Sequence, residues 1–161
     1  MPEQTKDGKY FRIRTDAEEF FRHAMDKKRG LQIKWDVYYL CLMAGVKSNS
    51  LDRSLKAADT NGFIEYFPED YKPHQSLIVA TVLDHHLREQ MKIDYSRKDR
   101  INTAMARYTD ANEMTWLNAE GIKIFNQYAS GGYNVISQDW LKGDKPRDLE
   151  TWLPTLIDKL G

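Results

Sequence analysis

Apolar residues recur at three- and four-residue spacing in several separate segments of this chain, which is the period of an amphipathic α-helix. The first such stripe consists of Ala17, Phe20, Phe21, Ala24 and Met25. Thr15 and Glu18 stand in the Thr-x-x-Glu order of a capping box, so the pattern predicts a helix that begins at Asp16. Gly30 follows the stripe at the place where a helix C-cap favours glycine.

Similar patterns predict the other elements of an all-α protein. Apolar spacing, proline, asparagine and glycine predict further helices at about 34–44, 74–92, 96–108, 119–130 and 148–160, with a short polar helix at 50–58. Gly45 and the Gly131-Gly132 pair are predicted to end two of these helices. Residues 9–14 are predicted to be a short extended segment and 59–62 a turn, and no pair of strands is predicted. We therefore expect a flexible tail at 1–8 and a single compact helical domain of about six helices at 9–161.

Composition excludes several classes of protein. The chain has 161 residues, enough for one domain with a hydrophobic core. Basic and acidic residues number 24 each, so the net charge is zero, and charge alone would not make the protein coat nucleic acid. The single cysteine, Cys41, excludes a disulfide within the chain and is typical of a cytoplasmic protein. No apolar run approaches the length of a membrane span, and the polar residues 1–9 lack the apolar core of a secretory signal.

Positive charge is nevertheless concentrated in two segments. Residues 1–34 contain nine Lys/Arg and six Asp/Glu, and residues 91–107 contain five and two. The cations of interest are Lys27, Lys28, Arg29 and Lys34 in the first segment and Arg97, Lys98 and Arg100 in the second. Lys and Arg bind DNA phosphates regardless of base sequence, so both groups are candidate nucleic-acid-binding sites. The alternative for each group is an ordinary solvated helix end.

A polar loop precedes the longest predicted helix. Within residues 68–75 it offers Asp70, Lys72 and His74 beside a helix N-terminus, where a phosphate oxygen can bind. Lys72 is therefore a further candidate contact to nucleic acid, and Asp70 and His74 are candidate catalytic groups. The alternative is a capped loop whose Tyr71 packs on the core.

A second candidate catalytic cluster lies near the end of the same predicted helix. His85 and Glu89 are i, i+4 neighbours that could share a divalent metal ion such as Mg²⁺ or Mn²⁺. The alternative is a solvated helix face with an Asp84–Arg88 ion pair. The sequence contains no Gly-rich phosphate loop, no cysteine-based zinc site and no familiar nuclease signature.

The order of these features resembles the small helical DndE-type proteins of bacterial DNA phosphorothioation systems, and equally the analogous component SspB. The resemblance rests on a basic turn ending in glycine, Lys27–Leu31, which leads into the apolar stretch Trp35–Met43. It also includes a tyrosine-containing loop, Tyr71–Gln75, before the apolar run Leu77–Leu83, and a late helix stopped by glycine, Ile122–Gly132. Most of residues 9–133 is covered. This chain differs from the small DndE proteins in being longer and in having a Trp-containing C-terminal helix.

The resemblance implies a DNA-binding and DNA-nicking component of a phosphorothioation and defence system. It would act on double-stranded DNA as a homo-oligomer, together with the other proteins of that system. The basic residues would contact the DNA backbone, and nicking would need a general base and a divalent metal ion. A hypothesis of another class is a non-enzymatic helical adaptor, in which Trp140 and Trp152 help to assemble partner subunits. The neutral charge and the missing nuclease motifs favour that alternative.

Overall fold

The computed structural model describes residues 6–25, 30–147 and 149–161, and the fold over these residues is predominantly helical. Its α-helices are α1 (Thr15–Phe20), α2 (Lys34–Lys47), α3 (Gln75–His85), α4 (Lys98–Ala106), α5 (Ala119–Asn134) and α6 (Leu149–Leu160). Two further segments are π-helical: His86–Gln90, which continues α3, and Val135–Trp140, which continues α5. Short 3₁₀ turns occupy Lys6–Lys9, Arg22–Ala24, Ala57–Asp59 and Lys72–His74.

A small antiparallel sheet of two strands, β1 (Phe11–Arg14) and β2 (Thr60–Ile64), accompanies the helices. The predicted extended segment at 9–14 is confirmed by β1, whereas the all-α expectation is wrong in excluding strands. The prediction of a turn at 59–62 and of a polar helix at 50–58 is also wrong. Asn and Gly are depleted in strands, so the presence of Asn61 and Gly62 makes β2 difficult to predict from the local sequence. Pairing with β1 supplies the backbone hydrogen bonds that the local sequence does not favour.

The helices begin and end partly where the sequence predicts. Asn118 caps α5 as predicted, because its side-chain oxygen accepts a hydrogen bond of 3.0 Å from the Gly121 amide. The Thr15 capping box is wrong, since Arg14 is the N-cap and the Thr15 hydroxyl donates to the Asp59 carbonyl. Gly45 does not end α2, which continues to Lys47. The Gly131-Gly132 pair likewise lies inside α5.

The chain divides into two compact units. Unit 1 contains the chain up to Phe11 together with residues 64–125, and unit 2 contains residues 12–63 and 126–161. In unit 1, the buried face of α3 carries Ile78, Val79, Val82 and Leu83. The predicted role of this helix as a core element is thereby confirmed. Phe11 contacts Phe67 edge-to-face, with 5.4 Å between the ring centroids.

Unit 2 is built around α2 and the second half of α5. The backbones of these helices approach closely because Gly45 and Gly132 have no side chains, and an ideal Cβ on either would collide with the opposite helix. The Trp35 and Tyr38 rings stack with centroids 4.9 Å apart. From α6, Trp152 is buried and contacts Phe21 at a centroid distance of 6.1 Å.

Candidate nucleic-acid interface

Of the first predicted basic group, which consists of Lys27, Lys28, Arg29 and Lys34, the structure describes only Lys34. Lys27, Lys28 and Arg29 lie outside the described residues. Lys34, the first residue of α2, is exposed, and its amine lies 3.3 Å from the Glu18 carboxylate. The Glu18 carboxylate therefore partly offsets the charge of Lys34.

The second predicted patch lies on α4 and its flanks in unit 1. A turn positions the helix, because the Ser96 amide and hydroxyl both donate to the Asp94 carboxylate, at 3.0 and 2.7 Å. Ala104 is the one buried residue of α4, so most of the helix circumference faces solvent. The exposed polar side chains from residue 97 to residue 107 are Arg97, Lys98, Asp99, Arg100, Asn102, Thr103 and Arg107.

Carboxylates offset part of the charge of this patch, since hydrogen bonds from Ser96 and secondarily the charge of Arg100 lower the pKa of the exposed Asp94. Arg97 lies 3.2 Å from Asp99. Within the described part of the chain, no carboxylate lies at ion-pair distance from Lys98, Arg100 or Arg107. Arg100 and Arg107 are seven residues apart, so their side chains lie on one helix face about 10 Å apart along the axis. The segment therefore presents a positive face on a protein of zero net charge.

The predicted phosphate-binding loop before α3 has no comparable set of unpaired cations. Its Asp70 and His74 are exposed. Lys72 is also exposed, but its amine lies 2.6 Å from the Glu69 carboxylate. The buried Gln75, at the start of α3, donates a hydrogen bond of 2.9 Å to the Met114 carbonyl. This loop is thus anchored to unit 1 through Gln75, while its charged groups remain at the surface.

At the other end of α3, the interpretation as a surface ion-pair cluster is confirmed in part. Asp84 and Arg88 form an ion pair of 3.0 Å, and the Arg88 guanidinium lies 3.7 Å from the centre of the Tyr95 ring. Partial burial lowers the pKa of His85, although Glu89 and Asp84 act to raise it. The neutral imidazole is therefore the favoured form of His85 near neutral pH.

The four candidate catalytic residues do not converge on one site. His74 is the N-cap of α3 and His85 is the last of its eleven residues, which separates their backbones by about 16 Å. Asp70 belongs to the first end and Glu89 to the second. Among the residues that the structure describes, no three or more His, Cys, Asp or Glu side chains form a group that could hold a metal ion.

No known protein family, curated protein or solved structure matches this chain. The similarity to DndE-type proteins and SspB therefore remains a prediction from the sequence. Of the helices in the described ranges, none is long and apolar enough to cross a membrane. The two tryptophans of the adaptor hypothesis differ in exposure, since Trp152 is buried and Trp140 is half-buried. Trp152 therefore contributes to the core of unit 2 and offers little surface to a partner.

Unit 2 contains a buried polar network that is not predicted from the sequence. The Asn126 side-chain oxygen accepts hydrogen bonds from the Arg12 amide at 2.9 Å and from the Tyr38 hydroxyl at 2.8 Å. The Arg12 guanidinium donates to the Thr60 hydroxyl at 2.9 Å, which links β1 to β2. Burial, and secondarily Cys41, raises the pKa of Tyr38 well above its ordinary value, so its hydroxyl stays protonated as a donor.

A second part of this network surrounds Arg14. Its guanidinium donates to Asn134 at 2.6 Å and to Asp16 at 2.9 Å. The Ser130 hydroxyl donates to Asp52 at 2.6 Å. A signal for both parts exists in the sequence, because Asn126, Ser130 and Asn134 recur every four residues and so share one face of α5.

Asp52 is expected to make the stability of the protein depend on pH in the acid range. Burial acts to raise its pKa, but hydrogen bonds from Ser130 and Ser54 and the nearby Arg14 outweigh that effect, so the pKa is lowered. A carboxylate with a lowered pKa stabilises the fold above about pH 4, and this contribution is lost as the pH falls through the folded-state pKa. Replacing Asp52 by asparagine should therefore reduce stability at neutral pH, and the difference from wild type should shrink in acid.

Urea unfolding midpoints measured from about pH 7 down to about pH 3 test this expectation. Asp139→Asn is the matched control, because it removes an equal charge from an exposed position. A stability difference between wild type and Asp52→Asn that stays constant across the acid range would contradict the prediction.

Proposed function

We propose that this protein binds DNA through the exposed face of α4, as a component of a bacterial DNA phosphorothioation or defence system. The observation that supports binding is the set of exposed cations Lys98, Arg100 and Arg107, none of which has a carboxylate at ion-pair distance among the described residues. Membership of such a system rests on the resemblance of the sequence to DndE-type proteins and SspB.

The chemistry of α4 suits the phosphate backbone. Each long cationic side chain can replace a condensed counterion on DNA, and the release of that ion favours binding. The exposed Asn102 adds an amide that can donate to phosphate or to a base edge. A local concentration of cations on α4 would allow a protein of zero net charge to bind a polyanion without coating it.

The proposal covers binding and assigns no cleavage step. His74 and His85 lie too far apart to act on one phosphate, and the carboxylates that act on His85 are Glu89 and Asp84. Binding therefore needs to be tested separately from nicking.

Charge reversal on α4 is expected to weaken DNA binding at least tenfold. Lys98→Glu combined with Arg100→Glu removes two phosphate contacts and adds two repulsive charges. The salt dependence of binding should also become less steep by about 2 in log–log slope, because each lost contact contributes about 0.9. Fluorescence anisotropy of a labelled DNA, recorded between about 50 mM and about 200 mM salt, gives both quantities.

The matched control is a double charge reversal outside the patch, Lys123→Glu combined with Lys56→Glu, at two exposed positions. This control should change affinity less than threefold while altering net charge equally. Failure of the wild-type protein to bind DNA would refute the proposal. An equal loss of affinity in both double variants would show that net charge, and not α4, governs binding.

A further inference from the structure

An exposed tryptophan lies in the loop that follows α4. Trp116 is 44% exposed, and Met114 in the same loop is 66% exposed. The other tryptophans differ, since Trp35 and Trp152 are buried and Trp140 is half-buried. A large aromatic ring left in water by a folded domain is a candidate contact for a ligand.

Hydrogen bonds hold this loop in one conformation. Thr109 and Leu117 form an antiparallel bridge at its base. The Trp116 amide donates to the Glu113 carbonyl at 3.0 Å, and the Trp116 carbonyl accepts from the Asp110 amide at 2.9 Å. The Trp116 ring is therefore carried by a backbone that is bonded on both sides.

Trp116 also has a left-handed backbone conformation, with φ at 61°. This region is unfavourable for a bulky side chain and persists where the surrounding structure enforces it. Its neighbours Thr115 and Leu117 are both buried, which anchors the chain on each side of the exposed ring. The backbone that carries the indole is thus fixed on both sides, while the tryptophan itself remains 44% exposed.

The loop is joined directly to the positive face of α4. The Asn118 amide donates to the Tyr108 carbonyl at 3.0 Å, and the Asn118 side chain donates to the Arg107 carbonyl at 2.9 Å. These bonds close the loop onto the end of the helix, next to the exposed Arg107. The ring and the cations therefore belong to one continuous segment of unit 1.

The two carboxylates of the loop, Glu113 and Asp110, bind other groups of the protein. Glu113 forms an ion pair of 3.1 Å with Lys9. Asp110 accepts a hydrogen bond of 2.9 Å from the Asn112 amide. The ion pair with Lys9 reduces the repulsion between Glu113 and a phosphate chain, and the exposed Arg107 has no ion-pair partner among the described residues.

From these observations we propose that Trp116 stacks on an unpaired base of single-stranded DNA whose backbone lies along α4. The inference rests on the proposed DNA binding by α4. An aromatic ring beside a positively charged surface is the combination that binds single strands, because every base offers a π-face and every nucleotide a phosphate. In a duplex these base faces are covered by stacking, so the indole would have to separate base pairs before it could contact one.

Anisotropy with an oligothymidine of about 20 nucleotides, compared with a duplex of the same length, measures the expected preference. Trp116→Ala is expected to weaken binding to the oligothymidine about tenfold while changing duplex affinity less than twofold. Trp116→Phe keeps a smaller ring and should retain most of the affinity. Ile157→Ala, at an exposed apolar position of α6, is the control that should change neither affinity.

Tryptophan emission provides a second readout that is specific to stacking. Oligothymidine should quench the emission of the wild-type protein, and this quenching should disappear in Trp116→Phe, because the remaining indoles are buried or half-buried. Thermal unfolding of each variant establishes that the fold is retained.

The outcomes separate the two proposals. If Trp116→Ala binds oligothymidine as the wild type does, while charge reversal on α4 weakens binding, stacking is refuted and DNA binding by α4 stands. If the wild type binds neither DNA, the proposed function fails and the stacking proposal fails with it. If Trp116→Ala leaves both affinities unchanged but alters the molecular mass in light scattering, the ring belongs to a protein interface and the stacking proposal is overturned.

Discussion

Replacing Gly132 by alanine is expected to lower the free energy of unfolding by about 3 kcal/mol, the upper part of the range for overpacked sites. A Cβ at this position would overlap the carbonyl oxygen of Cys41 and lie 2.5 Å from the amide nitrogen of Gly45. Both obstacles are backbone atoms of α2, so no side chain can rotate to make room. At an exposed helical site the change from glycine to alanine would stabilise the protein by about 1 kcal/mol. A loss of stability at Gly132 would therefore indicate that the backbones of α2 and α5 approach closely.

Thermal or urea unfolding measures this effect, and a loss of about 3 kcal/mol corresponds to a fall in Tm of roughly 6–12 °C for a chain of this size. Gly8→Ala is the control, because its Cβ would meet the Cβ of Ala119 at an ordinary 3.4 Å. That change should alter stability by about 0.5 kcal/mol or less. A Gly132→Ala protein as stable as the wild type would show that α2 and α5 are not in backbone contact.

The same glycines show why helix ends were harder to predict than helices. Glycine is favoured just beyond a helix, but it is also favoured where two helices approach too closely for a side chain. Gly45 and Gly132 serve the second purpose, and Gly131 allows a similarly close approach of the loop backbone at Ser50. Local sequence is the same in both situations, and the difference lies in a partner helix that is distant along the chain.

Local pattern predicted some elements correctly, whereas the Thr15 capping box and the polar helix at 50–58 are wrong, and α1 ends at Phe20, well before Gly30. The apolar spacing of α2 and α3 and the cap at Asn118 are properties of neighbouring residues, and the structure confirms them. The strand β2 was missed because its partner β1 lies more than 40 residues away and its own residues include Asn61 and Gly62. Pairing between distant segments can override a weak local preference.

The candidate site likewise combines features that the local sequence predicts with features that it does not. The sequence placed Lys98 and Arg100 on a helix, and the structure adds that they are exposed and lack ion-pair partners among the described residues. Nothing in the sequence indicates that Trp116 is exposed, since an aromatic residue between Thr115 and Leu117 is more commonly part of a core. Its exposure follows from a left-handed backbone, which only the hydrogen bonds of the whole loop determine.

Removal of the Asn126 side chain is expected to cost about 3 kcal/mol of stability, since each buried donor left without an acceptor costs about 1–3 kcal/mol. Replacement by alanine takes this acceptor from the Tyr38 hydroxyl and from the Arg12 amide at once. Tyr38 is fully buried, so solvent cannot readily supply a substitute. Urea unfolding of Asn126→Ala measures the loss.

Tyr38→Phe is the control that distinguishes a hydrogen-bond network from simple loss of packing. It removes the hydroxyl together with its need for a partner, and should therefore cost only about 1 kcal/mol. In the double variant the Tyr38 donor is already gone, so the loss should be smaller than the sum of the two single losses by about 1 kcal/mol. Strictly additive losses would mean that the bond between Tyr38 and Asn126 contributes nothing to stability, and that packing alone accounts for the effect of Asn126.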